Sequence, residues 1–501
     1  MLKRSFHTSP IKKLFDMEKY CKSRDTIGIN KPVIDEFLQR DYRLGLAIDS
    51  AHKMHCSLRN KYDHILRLPE QNQITELQEN FVNFYKSDYI NPYVPLAAYG
   101  PWVITSCGAV IHDNGGYGML GFGHSPRHVI NAMSEDQVMA NIMTPNFWQL
   151  KFTESLNNEI GNNRTIINNK NPFHKYLCLN SGSELVTLAT RICDVNAKNL
   201  TEFGARHYKK DIKFLALKGS FHGRTERPAQ ASDSCQNIYK SHLASFKNTN
   251  ILNTIEPNDT KSLQKMFDNA QKNNIFYEVM LMEPVMGEGD PGKAITPEFY
   301  ALARKLTKDH GCFLLVDSIQ AGLRAHGVLS IVDYPGFTEL DPPDMETYSK
   351  AINAGQYPLS VLAMNERAAS VYVKGIYGNT MTTNPRALAV ANSVLSSITD
   401  SLRYNIVERG EEFLKKFGYL ANNYPNLITK VQGTGLLLSV EFNNTVPVTG
   451  SNGLENTLRR NGLGVIHGGT NSLRFTPNFD ITTNEVDLVV DLVKDGIKKY
   501  T

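Results

Sequence analysis

The chain is predicted to fold as an α/β protein, with a large domain around a mostly parallel, mixed sheet and a smaller α+β domain behind it. Three observations predict this. Short, continuously apolar runs alternate with helical patterns through the middle of the chain, as buried parallel strands and their covering helices do. Polar residues of catalytic type close several of those runs. The pattern then changes after about residue 385, where helices dominate and only two further strand-like runs occur.

The apolar runs are KYLCLN (175–180), KFLALKG (213–219), EVMLMEP (278–284), CFLLVD (312–317) and METYSK (345–350). Between them, Glu298 to His310 places Phe299, Leu302, Ala303 and Leu306 on one helical face. Thr296 caps that helix, and Pro297 takes its first turn, where a missing N–H does no harm. Helical patterns run from Pro385 to Asn423, followed by LLLSVEF (436–442) and LRFTP (473–477). A last helix starts at Thr482, whose TTNE matches a capping box. Before the sheet, Gln71 to Lys86 shows helical spacing of Ile74, Leu77, Phe81 and Phe84. The organisation expected is a targeting segment at 1–15, an N-terminal extension and lead-in at 16–110, a large domain at 111–385 and a small domain at 386–501.

Composition narrows the function. Among 501 residues, 41% are apolar and 21% charged, as in globular proteins. No apolar run is long enough to cross a bilayer, so no membrane role is expected. The net charge of +4 is spread without a basic cluster, which removes the electrostatic footprint of a nucleic-acid binder. The cysteines are Cys21, Cys56, Cys107, Cys178, Cys193, Cys235 and Cys312, odd in number and without a C-x-x-C pair. Neither a disulfide framework nor a metal site is expected from them; Cys178 and Cys312 sit in apolar runs and read as core. Sparse cysteine fits a reducing compartment. The first residues carry Lys3, Arg4, Lys12 and Lys13 with no acid before Asp16. That is a mitochondrial presequence profile, with Arg4, Phe6 and Ser9 in an R-x-F-x-x-S pattern; the other reading is a basic tail on a cytoplasmic protein.

In parallel α/β sheets, ligands sit beyond the carboxyl ends of the strands. NSGSE (180–184) ends one run and opens a helix. Gly182 admits a ligand to the backbone, Ser181 and Ser183 offer hydroxyls, and a helix N-terminus favours an anion; a plain serine-capped turn is the other reading. In VDSIQAG (316–322), Asp317 ends an apolar run, where a carboxylate needs a cation or strong donor, unless it only caps a turn. In YSKA (348–351), Lys350 closes a run. A lysine buried there has a lowered pKa and a nucleophilic amine suited to Schiff-base chemistry; a lone lysine more often snorkels to the surface.

Together these motifs resemble the class III aminotransferases, which act on ornithine, acetylornithine, 4-aminobutyrate and lysine and share the fold-type I architecture. The resemblance spans roughly residues 91 to 498. It takes in HDNGGYGMLGFGHSP (112–126), NSGSE, KGSFHGRT (218–225), EPVMGEGD (283–290), DSIQAG, the lysine of YSKA, NTMTTNP (379–385) and VQGTGLLLSVEF (431–442), in the family's order.

What the resemblance implies is a pyridoxal 5'-phosphate enzyme. Lys350 would carry the cofactor and move the proton, and Asp317 would hold the pyridine nitrogen protonated. Gln320 would contact the ring hydroxyl oxygen, Phe221 would stack on the ring, and His222 would lie beside it. Ser181, Gly182 and Ser183 would bind the phosphate. Thr380 would reach the phosphate in a neighbouring subunit, making the active unit a homodimer. Arg224 would bind a donor carboxylate, Arg474 the α-carboxylate of glutamate, and Glu288 would cover Arg474 when an ω-amine is bound. Tyr93, in NPYVPL, resembles a tyrosine near the substrate. The implied reaction passes an ω-amino group from an amino-acid donor to 2-oxoglutarate.

Some positions depart from the family pattern. Ser318 replaces a glutamate and Ala321 a threonine in D-E-x-Q-T-G. Val186 and Thr187 follow NSGSE where other residues are usual, NTMTTNP lacks paired glycines, and roughly sixty residues precede the usual start. Rival readings are an aminomutase or decarboxylase of the same fold, and a non-catalytic relative. The retained Lys350, Asp317 and Gln320 speak against the latter.

Overall fold

The computed structural model describes residues 9–139, 141–165 and 170–501. Arg4 and Phe6 of the presequence-like pattern lie outside the described residues. Residues 10–15 belong to the first helix, α1 (Pro10–Tyr20), which buries Leu14 and Met17; the expected boundary at residue 15 therefore falls inside a helix.

Three more helices follow, α2 (Lys31–Arg40), α3 (Tyr42–Leu66) and α4 (Glu70–Gln78). Leu14, Phe37, Leu44 and Ile48 from this group pack on Trp102, Ile104 and Val110. Those belong to an antiparallel set of strands, β1 (Pro95–Tyr99), β2 (Trp102–Thr105) and β3 (Val110–Asp113). The helix expected over 71–86 stops at Gln78. Asn83 accepts a hydrogen bond from Tyr85 N at 3.0 Å, and such local side-chain turns compete with helix. Phe81 and Phe84 are consequently exposed rather than part of a buried face.

Cysteine pairing needs a correction. Cys21, after α1, forms a disulfide with Cys107 in the β2–β3 turn, their Cα atoms 5.4 Å apart. The two are 86 residues apart and carry no spacing motif, so only the fold reveals the pair. Gln73 of α4 lies over it, with Nε2 3.7 Å from each sulfur, and accepts from Ser106 Oγ at 2.7 Å.

The central sheet has the strands β4 (Lys175–Leu179), β5 (Asp211–Leu217), β6 (Leu252–Ile255), β7 (Ile275–Met282), β8 (Phe313–Asp317), β9 (Met345–Tyr348) and β10 (Ser360–Met364). Their order is β4-β10-β9-β8-β7-β5-β6. Only β10 runs against its neighbours. β8 and β9 pair with Asp317 opposite Thr347, a register that the site uses. The strands β7, β8, β9 and β10 are almost fully buried, consistent with helices on both faces.

Helix signals hold closely. Pro297–His310 is helical with Thr296 Oγ1 accepting from Phe299 N at 3.3 Å. The long pattern after 385 divides into Pro385–Ser396 and Asp400–Asn423, the second capped by Thr399. Thr482 and Glu485 cap the last helix, Thr483–Ile497.

In the C-terminal part, β11 (Ile428–Thr434) and β12 (Leu437–Phe442) precede β13 (Leu463–Gly464), β14 (Ile466–Gly468) and β15 (Ser472–Phe475). A sheet of order β11-β12-β15-β14 forms there. β13 instead joins β3 in parallel, with Leu463 opposite His112, so the C-terminal part closes the N-terminal sheet. No helix of the described residues is long and apolar enough to cross a membrane.

Candidate active site

A cavity of about 480 Å³ opens beyond the carboxyl ends of the parallel strands. Asp317, the last residue of β8, lies at its floor and is 3% exposed. Its Oδ1 accepts from Thr347 Oγ1 at 3.0 Å and from Ile319 N at 3.2 Å. Its Oδ2 faces His222 Nδ1 at 2.8 Å. Each carboxylate oxygen is thus held, which is what burial of a carboxylate demands.

Lys350 is not on the strand. β9 stops at Tyr348, and Lys350 opens a short 3₁₀ turn. Its backbone is left-handed, φ +49°, a conformation that strains a residue bearing a Cβ and that clusters at functional positions. Its Nζ donates to Gln320 Oε1. Burial, and then the Arg474 guanidinium, lower its pKa to about 8, against the opposing pull of Asp317 and Glu288. Gln320 is wedged beside Gly287, where a Cβ would stand 2.6 Å from its Cγ. Its Nε2 is buried with no partner among the described residues.

NSGSE opens the helix Gly182–Thr201. Ser181 and Glu184 cap it reciprocally. The first intrahelical bond is Leu185 N to Ser181 O, 3.1 Å. The amides of Gly182 and Ser183 precede it and line the cavity, an arrangement built for an anion. Ser183 Oγ accepts from Arg224 N at 2.7 Å, tying this turn to the FHGR loop. Gly223 between them has φ +122°, and a Cβ there would collide with Ser183 Oγ.

Glu283 staples the same loop from below. Its Oε1 accepts from Phe221 N at 3.0 Å and its Oε2 from Gly287 N at 2.8 Å. Burial pushes its carboxyl up to about 7. Phe221 is thereby presented to the cavity.

Two arginines enter the cavity without a carboxylate within 4.0 Å among the described residues. Arg224 lies 5.2 Å from the Phe221 ring and 5.5 Å from Phe84, with Nη1 3.7 Å from Cys235 Sγ. Arg474, on β15, donates to Gly287 O and keeps a buried Nε unpartnered. Burial lowers the Arg474 pKa, and Glu288 is the largest opposing influence. Glu288 also raises the pKa of Arg224. It lines the cavity among both arginines and Lys350 and is directly paired with neither arginine.

Tyr93 and Thr380 do not line this cavity, Thr380 being expected at a neighbouring subunit's site. Tyr93 is buried against an adjoining cavity and does not line this one. Tyr85 and Tyr117 supply the aromatic wall instead. Tyr117 sits in GGYG, inside HDNGGYGMLGFGHSP, whereas Tyr85 is hidden in an apparent helix. Thr380 is exposed and does not line the cavity of its own chain. Its neighbour Asn379 donates to Glu184 Oε1 at 3.2 Å and accepts from Asn180 Nδ2 at 3.3 Å.

The departure at Ser318 also has an account. Ser318 Oγ donates to Glu346 Oε1 at 2.5 Å. Glu346, on β9, further accepts from Ser330 Oγ at 2.5 Å and Ile331 N at 3.0 Å. Burial pushes it up to about 7. The carboxylate absent beside Asp317 is present on the adjacent strand.

A sequence model of the Aminotransferase class-III family matches residues 91–497. An acetylornithine aminotransferase, mitochondrial, of Debaryomyces hansenii is 25% identical over 380 residues, 76% of each chain. Ornithine aminotransferase 1 of Staphylococcus saprophyticus is 26% identical over 398 residues, 77% of this chain and 89% of that one. A crystal structure of the ornithine aminotransferase of Toxoplasma gondii superposes with a TM-score of 0.71 at 22% identity, covering 87% of this chain and 97% of that one.

The cofactor of this family fits the residues present. A carboxylate suits a protonated ring nitrogen, the free amide of Gln320 a ring oxygen, the Phe221 face a ring, the helix N-terminus a phosphate, and Lys350 an aldehyde. The chain belongs to the class-III aminotransferases, pyridoxal-phosphate enzymes of the fold-type I architecture.

Proposed function

We propose that the enzyme is an ω-aminotransferase. It would take the ω-amine of a carboxylate-bearing donor, of ornithine, lysine or 4-aminobutyrate type, and pass it to 2-oxoglutarate, yielding a semialdehyde and glutamate. One observation carries this reading: two arginines free of carboxylate partners share a cavity with Lys350, with Glu288 beside them. A planar guanidinium grips a carboxylate through two parallel bonds; the donor presents one carboxylate and glutamate presents two.

Bound pyridoxal phosphate supplies the electron sink for the carbanion. The chain's own groups do the rest. Lys350, with its lowered pKa, is the base and acid that moves the proton at the donor carbon. Asp317 holds a proton on the ring nitrogen, and His222 with Thr347 fixes Asp317. Ser181, Gly182 and Ser183 anchor the phosphate. Arg224 orients the donor by its carboxylate, and Tyr85 with Tyr117 walls off water. Arg474 receives glutamate, and Glu288 screens it while the donor is bound.

Dimerisation is typical of the family, and a homodimer with Thr380 at the neighbouring site suits that residue's exposure. The division into a large unit over 111–385 and a small unit over 386–501 is proposed with it. A mitochondrial location is supported by the basic, acid-free N-terminus and by relatives from two fungi named mitochondrial; fusing the first thirty or so residues to a reporter tests it. The function is tested by a donor screen on the purified holoenzyme, with 2-oxoglutarate and pyruvate as acceptors. Turnover confined to α-amines would overturn it.

A further inference from the structure

Three side chains of metal-binding type meet on the N-terminal helices, ahead of the family match at 91. His52 and Cys56 stand four residues apart on α3, neighbours on one helical face. Asp16 reaches them from α1. Its Oδ2 lies 3.0 Å from His52 Nε2, and Cys56 Sγ lies 3.8 Å from the same nitrogen. One donor atom from each of the three lies within 4.8 Å of the other two. Asp16 is 36 residues from His52. The expectation of no metal site came from cysteine spacing, which carries no sign of so distant a ligand.

The donors sit on packed elements. Leu14 and Met17 of α1 share a core with Ile48 and Ala51 of α3, and Lys13 Nζ donates to Asp49 Oδ1 at 2.8 Å. Arg59 fixes the carboxylate. Its Nη2 donates to Asp16 Oδ2 at 2.6 Å, and its guanidinium carbon lies 4.2 Å from the Tyr20 ring centroid. Ligating carboxylates commonly have such an outer partner, which sets their orientation. Cys56 is exposed, whereas the other free cysteines, Cys178, Cys193, Cys235 and Cys312, are buried. An ion arriving from solvent therefore meets one thiol.

We propose that Asp16, His52 and Cys56 bind a zinc-class divalent ion that staples α1 to α3. Zinc bonds of about 2.0–2.3 Å put tetrahedral neighbours roughly 3.3–3.6 Å apart. The observed 3.0 and 3.8 Å need only small side-chain rotations to meet that. Thiolate and carboxylate carry two negative charges between them, which balance a divalent ion. Repulsion between the ion and Arg59 is screened by solvent, which reaches Asp16 and Cys56. Water takes the fourth position. A sulfur, a nitrogen and an oxygen donor suit zinc, whereas magnesium prefers oxygen ligands.

The test titrates the holoenzyme, freed of metal by a chelator, with zinc chloride in a calorimeter. Wild type should bind one ion per chain saturably. Asp16→Asn, His52→Gln and Cys56→Ser should each weaken that binding by at least about tenfold, the least that loss of an outer partner costs. Cys56→Ser changes an exposed position and remains the decisive variant should Asp16→Asn, which loosens Arg59, fail to fold. Zinc should also shield Cys56 from alkylation in the folded enzyme. His52→Gln keeps the thiol and should lose the shielding. Magnesium chloride at the same concentration should neither bind nor shield. Absence of saturable zinc binding by wild type, binding undiminished in all three variants, or equal shielding by magnesium overturns the proposal.

Discussion

His222 Nδ1 lies 2.8 Å from Asp317 Oδ2, the oxygen that Thr347 and Ile319 leave free. Both side chains are buried, so the contact is a fixed strut. His222 acts through Asp317, as a positioning residue. His222→Ala should lower kcat by about tenfold to a hundredfold, the loss of a hydrogen bond to a charged group worth roughly 1.5–3 kcal/mol. The donor KM should hold, and His222→Asn, whose amide still donates, should recover most of the rate. A merely structural histidine would show equal loss in both variants, tracking melting temperature.

Lys350 makes a pH prediction. Its pKa is lowered to about 8 by burial and by Arg474. The neutral amine attacks the cofactor's aldehyde, so apoenzyme capture of pyridoxal phosphate should accelerate with an inflection near pH 8. Arg474→Ala should move that inflection upward. The sign for stability follows from the same shift. The folded state disfavours the ammonium, so the unfolded chain binds the extra proton between about 8 and the ordinary lysine value. Apoenzyme stability from this group should rise as pH climbs through that window. Lys350→Ala should lose borohydride-fixed cofactor altogether; retention at native stoichiometry would place the attachment elsewhere.

How much of this was legible in the sequence varies with the physics. Asp317, Gln320, NSGSE and Lys350 stood out because each closes an apolar run, and parallel strands bring such ends together. Lys350 was misjudged by a turn: the apolar run continues to it, but the strand ends at Tyr348. β6, short and mostly half-buried, left little trace, and β10 was passed over although it is as long as β4 and β8. Tyr85 was concealed by helical spacing over 71–86, although the helix stops at Gln78. Tyr93 matches a substrate-side tyrosine by motif alone, and the chain places it one cavity away.

The Cys21–Cys107 pair predicts a redox-dependent stability. The bridge closes a loop spanning 86 residues, and such a cross-link contributes roughly 2–4 kcal/mol, mainly by restricting the unfolded chain. Cys107→Ser should therefore lower the denaturation midpoint of the oxidised protein, and a reductant should do the same to wild type only. Thiol alkylation before and after reduction, with peptide mapping, measures the pair directly. Alkylation of Cys21 and Cys107 in unreduced, denatured protein would show that they are thiols.

Glu288 offers the sharpest test of the two half-reactions. It shares the cavity with Arg224, Arg474 and Lys350, yet pairs directly with neither arginine. A buried ion pair broken by truncation costs several kcal/mol; Glu288 forms no such pair among the described residues, so Glu288→Ala should melt close to wild type. Its removal does expose Arg474 to any α-carboxylate. Ornithine would then turn its α-amine toward Lys350, and the ω-amine half-reaction should slow. Glutamate needs Arg474 in any case, so its half-reaction should be spared or improved. Single-turnover absorbance changes with each substrate separate the two. Arg224→Lys supplies the complementary case: charge survives but the planar fork does not, so the donor KM should rise while Arg474 still holds the α-carboxylate of glutamate. Equal losses in both half-reactions of Glu288→Ala would mean that it has no switching role and serves both substrates alike.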